Sequence, residues 1–135
     1  NSQINMKILG IGVDIIENSR IKRSILNKKF INRIFSRQEI SRLKKINNKI
    51  AYFSKRFAAK EAFSKALGTG FRNNLNFRDI SVVNDRYGKP YIKINKKIIN
   101  ILMHKFKTKN VNIFLSIADE KKNSIAFVVI GKKWV

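Results

Sequence analysis

Residues 52–70 read Tyr-Phe-Ser-Lys-Arg-Phe-Ala-Ala-Lys-Glu-Ala-Phe-Ser-Lys-Ala-Leu-Gly-Thr-Gly, and any fold for this chain must accommodate that stretch as a helix. Ala58, Ala59, Ala62, Ala66 and Leu67 are strong helix formers with no Gly or Pro among them. Gly68 follows where a helix ends. The pattern predicts a central helix from about Lys49 to Leu67. Ala59, Ala62, Phe63 and Ala66 recur at the three- and four-residue spacing of a buried stripe. Phe57, Glu61, Ser64, Lys65 and Gly68 fall on an adjoining face that mixes a ring, a carboxylate, a hydroxyl and an ammonium. Glu61 and Lys65 also form an ordinary i,i+4 pair, worth about 0.2–0.5 kcal/mol.

Ahead of this helix, residues 7–16 form a short apolar run with two glycines, the pattern of a buried strand. Asp14 interrupts it. An ionised carboxylate in an apolar segment needs a partner, a proton or a cation; a strand-end Asp can also cap the next helix. Residues 17–29 read as one helix with Ile21 and Ile25 inward and Arg20, Lys22, Arg23, Lys28 and Lys29 outward, with Glu17 as its one acid. Five cations against one acid on so short a helix suggest an acidic docking partner. Ser36 and Glu39 match a capping box ahead of Ile40 and Leu43, which makes Glu39 a structural residue.

After the central helix, residues 69–78 are polar and read as loop. Residues 79–84 and 91–94 are strand-like, joined by Asp85-Arg86-Tyr87-Gly88-Lys89-Pro90, which has turn composition. Asn95 can cap a helix through Phe106, with Ile98, Ile99 and Leu102 inward and His104 at the surface. Residues 111–118 and 124–130 form a second hairpin, whose Asp119 and Glu120 are loop acids. With no internal repeat or interdomain linker, residues 1–135 make a single α+β domain with a mainly antiparallel sheet packed with helices. Residues 1–5, before Met6, are expected to be leftover leader or vector-derived.

The 44% hydrophobic content supports a core, and 30 Lys and Arg against 8 Asp and Glu give a formal charge of +22. Such a surface attracts polyanions, which raises nucleic acid, acidic protein, phosphate-rich small molecules and anionic lipid as partners. The abundance of Ile, Lys and Asn points to an AT-rich genome, which accounts for part of the charge. Without cysteine there is neither a disulfide framework nor a cysteine-held metal, and one histidine rules out a multi-histidine zinc site. Many aromatics fall at core periods and no nucleic-acid motif appears, so a nucleic-acid-binding module fits poorly. The basic helix lacks the broad apolar face of a membrane-surface helix, and no apolar run has membrane-spanning length.

Asp14 and Glu61 are the two acids placed most unusually. Side by side at about 4 Å, ionised, they would repel by about 4 kcal/mol at an effective dielectric of 20. A cation or a shared proton resolves that. Carboxylates as the only protein ligands suit a magnesium ion that also holds substrate phosphates. Arg56, Lys60 and Lys65 stand near enough in sequence to engage further phosphate oxygens. Gly68-Thr69-Gly70 follows a helix rather than preceding one, so it is no P-loop.

Gly10-Ile11-Gly12-Val13-Asp14-Ile15, Arg56-Phe57-Ala58-Ala59-Lys60-Glu61-Ala62-Phe63-Ser64-Lys65, Gly68-Thr69-Gly70, Asp85 with Gly88-Lys89-Pro90, and the closing Ser116-Ile117-Ala118-Asp119-Glu120 occur in an order that resembles the holo-acyl-carrier-protein synthases, the small 4′-phosphopantetheinyl transferases. The resemblance runs from about Lys7 to Ile130. It implies transfer of 4′-phosphopantetheine from coenzyme A to a serine of apo acyl carrier protein, in support of fatty acid biosynthesis. By motif match Asp14 and Glu61 would hold magnesium, and Lys65 would join them in catalysis. Arg56, Phe57, Lys60, Ser64, Lys65, Gly68, Thr69, Gly70, Gly88, Lys89, Pro90 and Ser116 would line the coenzyme A site. Arg20, assisted by Lys22 and Arg23, would dock the acidic carrier protein. The resemblance further implies a homotrimer with active sites between subunits, in bacterial cytoplasm or in a plastid-type stroma reached by a removed leader. One departure stands out: Phe114 occupies the place of a histidine common in the family, with Asn112 and Ser116 on the same strand face.

Overall fold

The computed structural model describes residues 5–68 and 75–134. Strand β1 (Asn5–Glu17) leads into three short helices, α1 (Asn18–Ser24), α2 (Lys28–Ile34) and α3 (Arg37–Ser41), then a 3-10 turn over Arg42–Lys45. The long helix α4 (Lys49–Leu67) follows. A 3-10 turn (Phe77–Asp79), strands β2 (Ile80–Asn84) and β3 (Pro90–Ile94), helix α5 (Lys96–Phe106) and strands β4 (Val111–Asp119) and β5 (Asn123–Trp134) complete the chain.

Helix α4 matches its sequence prediction at both ends. Asn48 caps it, its Oδ1 accepting from Ala51 N at 3.1 Å, and Gly68 closes it in the left-handed region at φ 79°. The Lys105 ammonium donates to the Leu67 carbonyl there, a cation at the negative end of the helix. The separate buried stripe read from the sequence is too narrow. Phe57 and Ser64, assigned to the mixed face, are buried along with Ala59, Ala62, Phe63 and Ala66, because elements pack against nearly the whole circumference.

Both sheets are antiparallel. One runs β1-β5-β4 and the other is the separate β2–β3 hairpin, so the expected single sheet is two. Along β1, Gly12 and Ile16 point toward α4, with Asp14 between them, while Ile11, Val13 and Ile15 point away. A Cβ at Gly10 would come within 2.0 Å of the Ala66 carbonyl oxygen, and one at Gly12 within 1.9 Å of the Ala62 oxygen. The strand backbone therefore rests on the helix backbone, a contact open only to glycine opposite alanine.

On its other side α4 meets an aromatic chain. Phe35 meets Phe53 at a tilt of 54° with ring centroids 4.6 Å apart, and Phe57 lies 6.0 Å from Phe30 and 5.8 Å from Phe77. The expected single helix over residues 17–29 is broken. Asn27 Oδ1 accepts from Lys29 N at 2.9 Å and so starts α2 as a separate helix that brings Phe30 and Ile34 inward. In α5, Ile98 and Leu102 are buried as expected, but Ile99 is exposed.

The capping box at Ser36 is present, and its Glu39 does more than cap. Lys60 and Glu39 are both 0% exposed, with Nζ and Oε1 2.7 Å apart. Lys60 also donates to the carbonyls of Phe77, at 2.9 Å, and Ile80. Glu39 accepts from Ser36 N at 2.8 Å and from Val82 N at 3.0 Å. A buried ion pair is tolerated when its remaining polar sites are filled in this way.

Two outcomes follow. Gly12→Ala should cost about 3 kcal/mol or more, because the clashing atom is backbone; an unchanged urea midpoint would contradict the close approach. Lys60→Met should cost about 3–5 kcal/mol by leaving Glu39 buried and unpaired. Adding Glu39→Gln should then restore part of that loss, and strictly additive effects in the urea double-mutant cycle would show that the two side chains are uncoupled.

Candidate active site

Successive contacts of β1 on α4 set where Asp14 lands. Gly10 faces Ala66 and Gly12 faces Ala62, so two residues along the strand correspond to one turn back along the helix. Asp14, the next inward position, therefore comes over the turn that ends in Glu61. Lys65 reaches back to it: its Nζ lies 2.9 Å from Asp14 Oδ1 and donates to the Val13 carbonyl at 3.1 Å. The second carboxylate oxygen, Asp14 Oδ2, is buried without a hydrogen-bond partner among the described residues.

Burial pushes the Glu61 carboxyl above its ordinary range, and the charge of Asp14 adds to the rise. Lys65 and Arg20 pull it back. The two acids singled out in the sequence are thus electrostatic neighbours, with one cation from α4 and one from α1 beside them. The Arg20 guanidinium stands 6.0 Å from the centre of the Phe57 ring, which fixes α1 against this part of α4. Among the described residues no group of three or more His, Cys, Asp or Glu gathers, so protein ligands for a metal would be these two carboxylates, with Asp14 Oδ2 the open position.

The remaining expected site residues divide by exposure. Lys65 is exposed beside the acids, and Gly68 is exposed at the end of α4, where Lys105 approaches it. Arg56 and Phe57 are buried, Arg56 with its guanidinium 3.6 Å from the Tyr52 ring centre, and Ser64 is buried too, so all three support the helix from within the packed interior. Lys60 does not join the open site: its ammonium is consumed by Glu39 and two carbonyls in the core. Thr69 and Gly70 lie outside the described residues.

Gly88 and Lys89 are exposed at the β2–β3 turn. Asp85 rigidifies this turn, its Oδ1 accepting from Tyr87 N at 2.8 Å and Lys89 N at 2.9 Å, with Gly88 at φ 85° and Pro90 opening β3. Ser116 pairs across Phe127, which pairs across Val13, so it lies on the sheet face opposite to Asp14. It cannot line the same chain's carboxylate site. Asn112 and Phe114 share its exposed face, as strand alternation predicts. Lys22 and Arg23 are exposed on α1, and His104 is on the surface of α5.

Asn18 went unremarked in the sequence and proves central to the site's frame. Its Oδ1 accepts from Ser54 Oγ at 2.7 Å and Ser124 Oγ at 3.1 Å. Its Nδ2 donates to the carbonyls of Glu120 and Lys121, and its backbone N to Lys122 O. One side chain thereby ties the start of α1 to α4 and to the β4–β5 turn. An Asn at a strand-to-helix junction was the available signal, but it reads as an ordinary cap, whereas Asn18 makes no capping bond.

The family model of the 4′-phosphopantetheinyl transferase superfamily matches residues 10–124. The chain is similar to the holo-[acyl-carrier-protein] synthase of Pelagibacter ubique, with 60% identity over 128 residues, 95% of this chain and 100% of the relative. The corresponding synthase of Clostridium tetani is 47% identical over 91% of this chain and 95% of its own length. Among solved structures, holo-[acyl-carrier-protein] synthase from Neisseria meningitidis superposes with a TM-score of 0.81 at 38% identity, covering 92% of this chain and 98% of that one. The Bacillus anthracis synthase in complex with CoA (3′,5′-ADP) gives a TM-score of 0.76 at 35% identity, over 95% and 99%.

Proposed function

The chain belongs to the 4′-phosphopantetheinyl transferase superfamily, and from that membership we propose that it is a holo-[acyl-carrier-protein] synthase. It transfers 4′-phosphopantetheine from coenzyme A to a serine hydroxyl of apo acyl carrier protein and releases adenosine 3′,5′-bisphosphate. The observation that carries this reading at the level of chemistry is the meeting of Asp14, Glu61 and Lys65, with one carboxylate oxygen buried and unpartnered.

In the reaction the serine oxygen bonds to the phosphorus that bears pantetheine, and the bond from that phosphorus to the leaving bisphosphate breaks. Asp14 and Glu61 would hold magnesium, which when bound neutralises charge on the pyrophosphate. The residues fit such an ion: Asp14 Oδ2 is free for it, and a cation would relieve the conflict that raises Glu61. Lys65 is 55% exposed on its side chain, against 14% for Asp14, so its ammonium can leave the carboxylate for a phosphate oxygen without unfolding anything. Gly68 and the Lys89 turn supply further contacts to coenzyme A. Arg20, Lys22 and Arg23 present positive charge to the acidic carrier, and Arg20 lies close enough to influence Glu61, so docking brings the serine toward the carboxylates.

The proposed assembly is a homotrimer with sites between subunits. Its support is the outer face of the β1-β5-β4 sheet, where Ile11, Val13, Ile15, Phe114, Ile125 and Phe127 stand exposed. Ile11 is 58% and Phe114 48% accessible, and no charged residue interrupts these six, on a chain of net charge +22. Such an uncharged face suits further copies of itself better than nucleic acid or an acidic partner. Ser116 lies on it, so this residue would serve a neighbouring subunit's coenzyme A, and Phe114 would contribute packing rather than proton transfer. The whole chain acts as a single transferase domain. The bacterial relatives support a cytoplasmic setting over a plastid-type stroma, and no described helix is long and apolar enough to cross a membrane.

Incubating apo acyl carrier protein with the protein and coenzyme A should add one phosphopantetheinyl group by intact mass with magnesium present and none with a chelator. Asp14→Ala and Glu61→Ala should each lose that activity with the fold retained; full turnover in either would remove the carboxylates from the mechanism. Reversing Lys22 and Arg23 to Glu should raise the carrier-protein KM by about tenfold and flatten its salt dependence, leaving the coenzyme A KM unchanged. An effect confined to coenzyme A would mean that these cations face the other substrate.

A further inference from the structure

Across α2, α3 and the 3-10 turn at Phe77–Asp79, the surface folds into a cleft of about 530 Å³ whose lining includes none of Asp14, Glu61 and Lys65. Arg33, Arg37 and Arg78 line it together with Asn32 and Asn76. We infer that this cleft is a binding site for the phosphate group of a phosphorylated small molecule.

Three arginines line one space, Arg33 lining a neighbouring cleft as well, and no guanidinium among them has a hydrogen-bond or ion-pair partner among the described residues, whose ion pairs join Lys60 to Glu39, Lys65 to Asp14 and Lys97 to Asp79. One carboxylate, Asp79, stands against three guanidiniums in this lining, so an excess of positive charge remains for a bound anion to offset. The Asp79 carboxylate is held on one side only, with Oδ1 2.7 Å from Asn95 Nδ2, while its buried Oδ2 makes no hydrogen bond and lies 3.5 Å from Lys97 Nζ. Ser36 is engaged, its Oγ lying 2.6 Å from Ser81 Oγ. The free donors are therefore the three forks and the two amides, and that set matches a tetrahedral dianion better than a single carboxylate. The volume exceeds an ion's and falls in the range of small-ligand pockets.

The walls are also fixed in place. Glu39 binds the Ser36 amide at the start of α3, while its partner Lys60 binds the Phe77 carbonyl in the 3-10 turn. One fully buried ion pair thus holds both backbones that carry Arg37 and Arg78, so the guanidiniums extend from a rigid frame and lose less freedom on binding.

The phosphate has two possible sources, coenzyme A through its 3′-phosphate or an unrelated phosphorylated metabolite, and binding can be read without any turnover. The test follows the arginine Nε–Hε resonances of the intact protein by NMR at constant ionic strength while inorganic phosphate, coenzyme A or 3′-dephospho-coenzyme A is added. Saturable shifts at Arg33, Arg37 and Arg78 with inorganic phosphate are expected. In Arg33→Gln/Arg37→Gln/Arg78→Gln the apparent Kd should weaken at least tenfold, and Arg78→Gln alone, which leaves both helices unaltered, should weaken it about threefold. Shifts from coenzyme A that vanish with the dephospho form would assign the cleft to the substrate; a response to inorganic phosphate with neither coenzyme would assign it to a separate ligand. Shifts that merely track ionic strength, persist unchanged in the variants, or arise only with a random oligonucleotide would overturn the inference.

Discussion

The structure depends on the contact between the backbone of β1 and the backbone of α4. Gly10 and Gly12 lie so close to the carbonyls of Ala66 and Ala62 that no side chain can stand between them. The absent Cβ atoms do more than save space. They set the register of strand on helix, and register decides which side chain follows: the next inward position along β1 is Asp14, which arrives beside Glu61 and within reach of Lys65. A strand held farther away by a methyl group would leave the same acids present but would move Asp14 away from Glu61 and Lys65.

Helix α4 carries two ion pairs of opposite character within six residues. Lys60 and Glu39 are fully buried, each with its other hydrogen-bonding positions filled, and they join α4 to α3 and to the 3-10 turn before β2. Lys65 and Asp14 are partly solvated, and Asp14 keeps one oxygen unpartnered. The first pair is costly to break because either survivor would be a bare charge in the core. Breaking the second leaves a lysine that water can solvate, since its side chain is 55% exposed. Rigidity on one side of the helix and replaceable electrostatics on the other are what a site needs when it must bind a highly charged substrate without distorting.

Charge is distributed unevenly over the rest of the molecule. Cations collect on α1 and α2 and around the Arg33, Arg37 and Arg78 cleft, whereas the outer face of the β1-β5-β4 sheet presents exposed apolar side chains. A chain of this net charge repels its own copies everywhere except on such a face.

Much of this was legible in the residues. The ends of α4 at Asn48 and Gly68, the capping box of Ser36 with Glu39, the Asn95 cap of α5 and both hairpins are set by hydrogen bonds and periodicities spanning a few residues, so neighbours in sequence suffice to read them. Asp14 and Glu61 could be singled out because each broke its local pattern. Lys65 stood out on the face it shares with Glu61, but the burial of Lys60 was not legible: the partners of the two lysines, Asp14 and Glu39, lie 51 and 21 residues away. Nor could local pattern reveal that Ser116 faces away from Asp14, that Asn18 ties three elements together, or that three scattered arginines line one cleft. Apart from the break at Asn27 between α1 and α2, sequence alone determined which segments are helix or strand and which residues are chemically unusual, because those depend on short-range bonding and side-chain type. Tertiary structure decided which charges are buried, paired or left free, because desolvation and Coulomb energy depend on the residues brought close by packing, however distant along the chain.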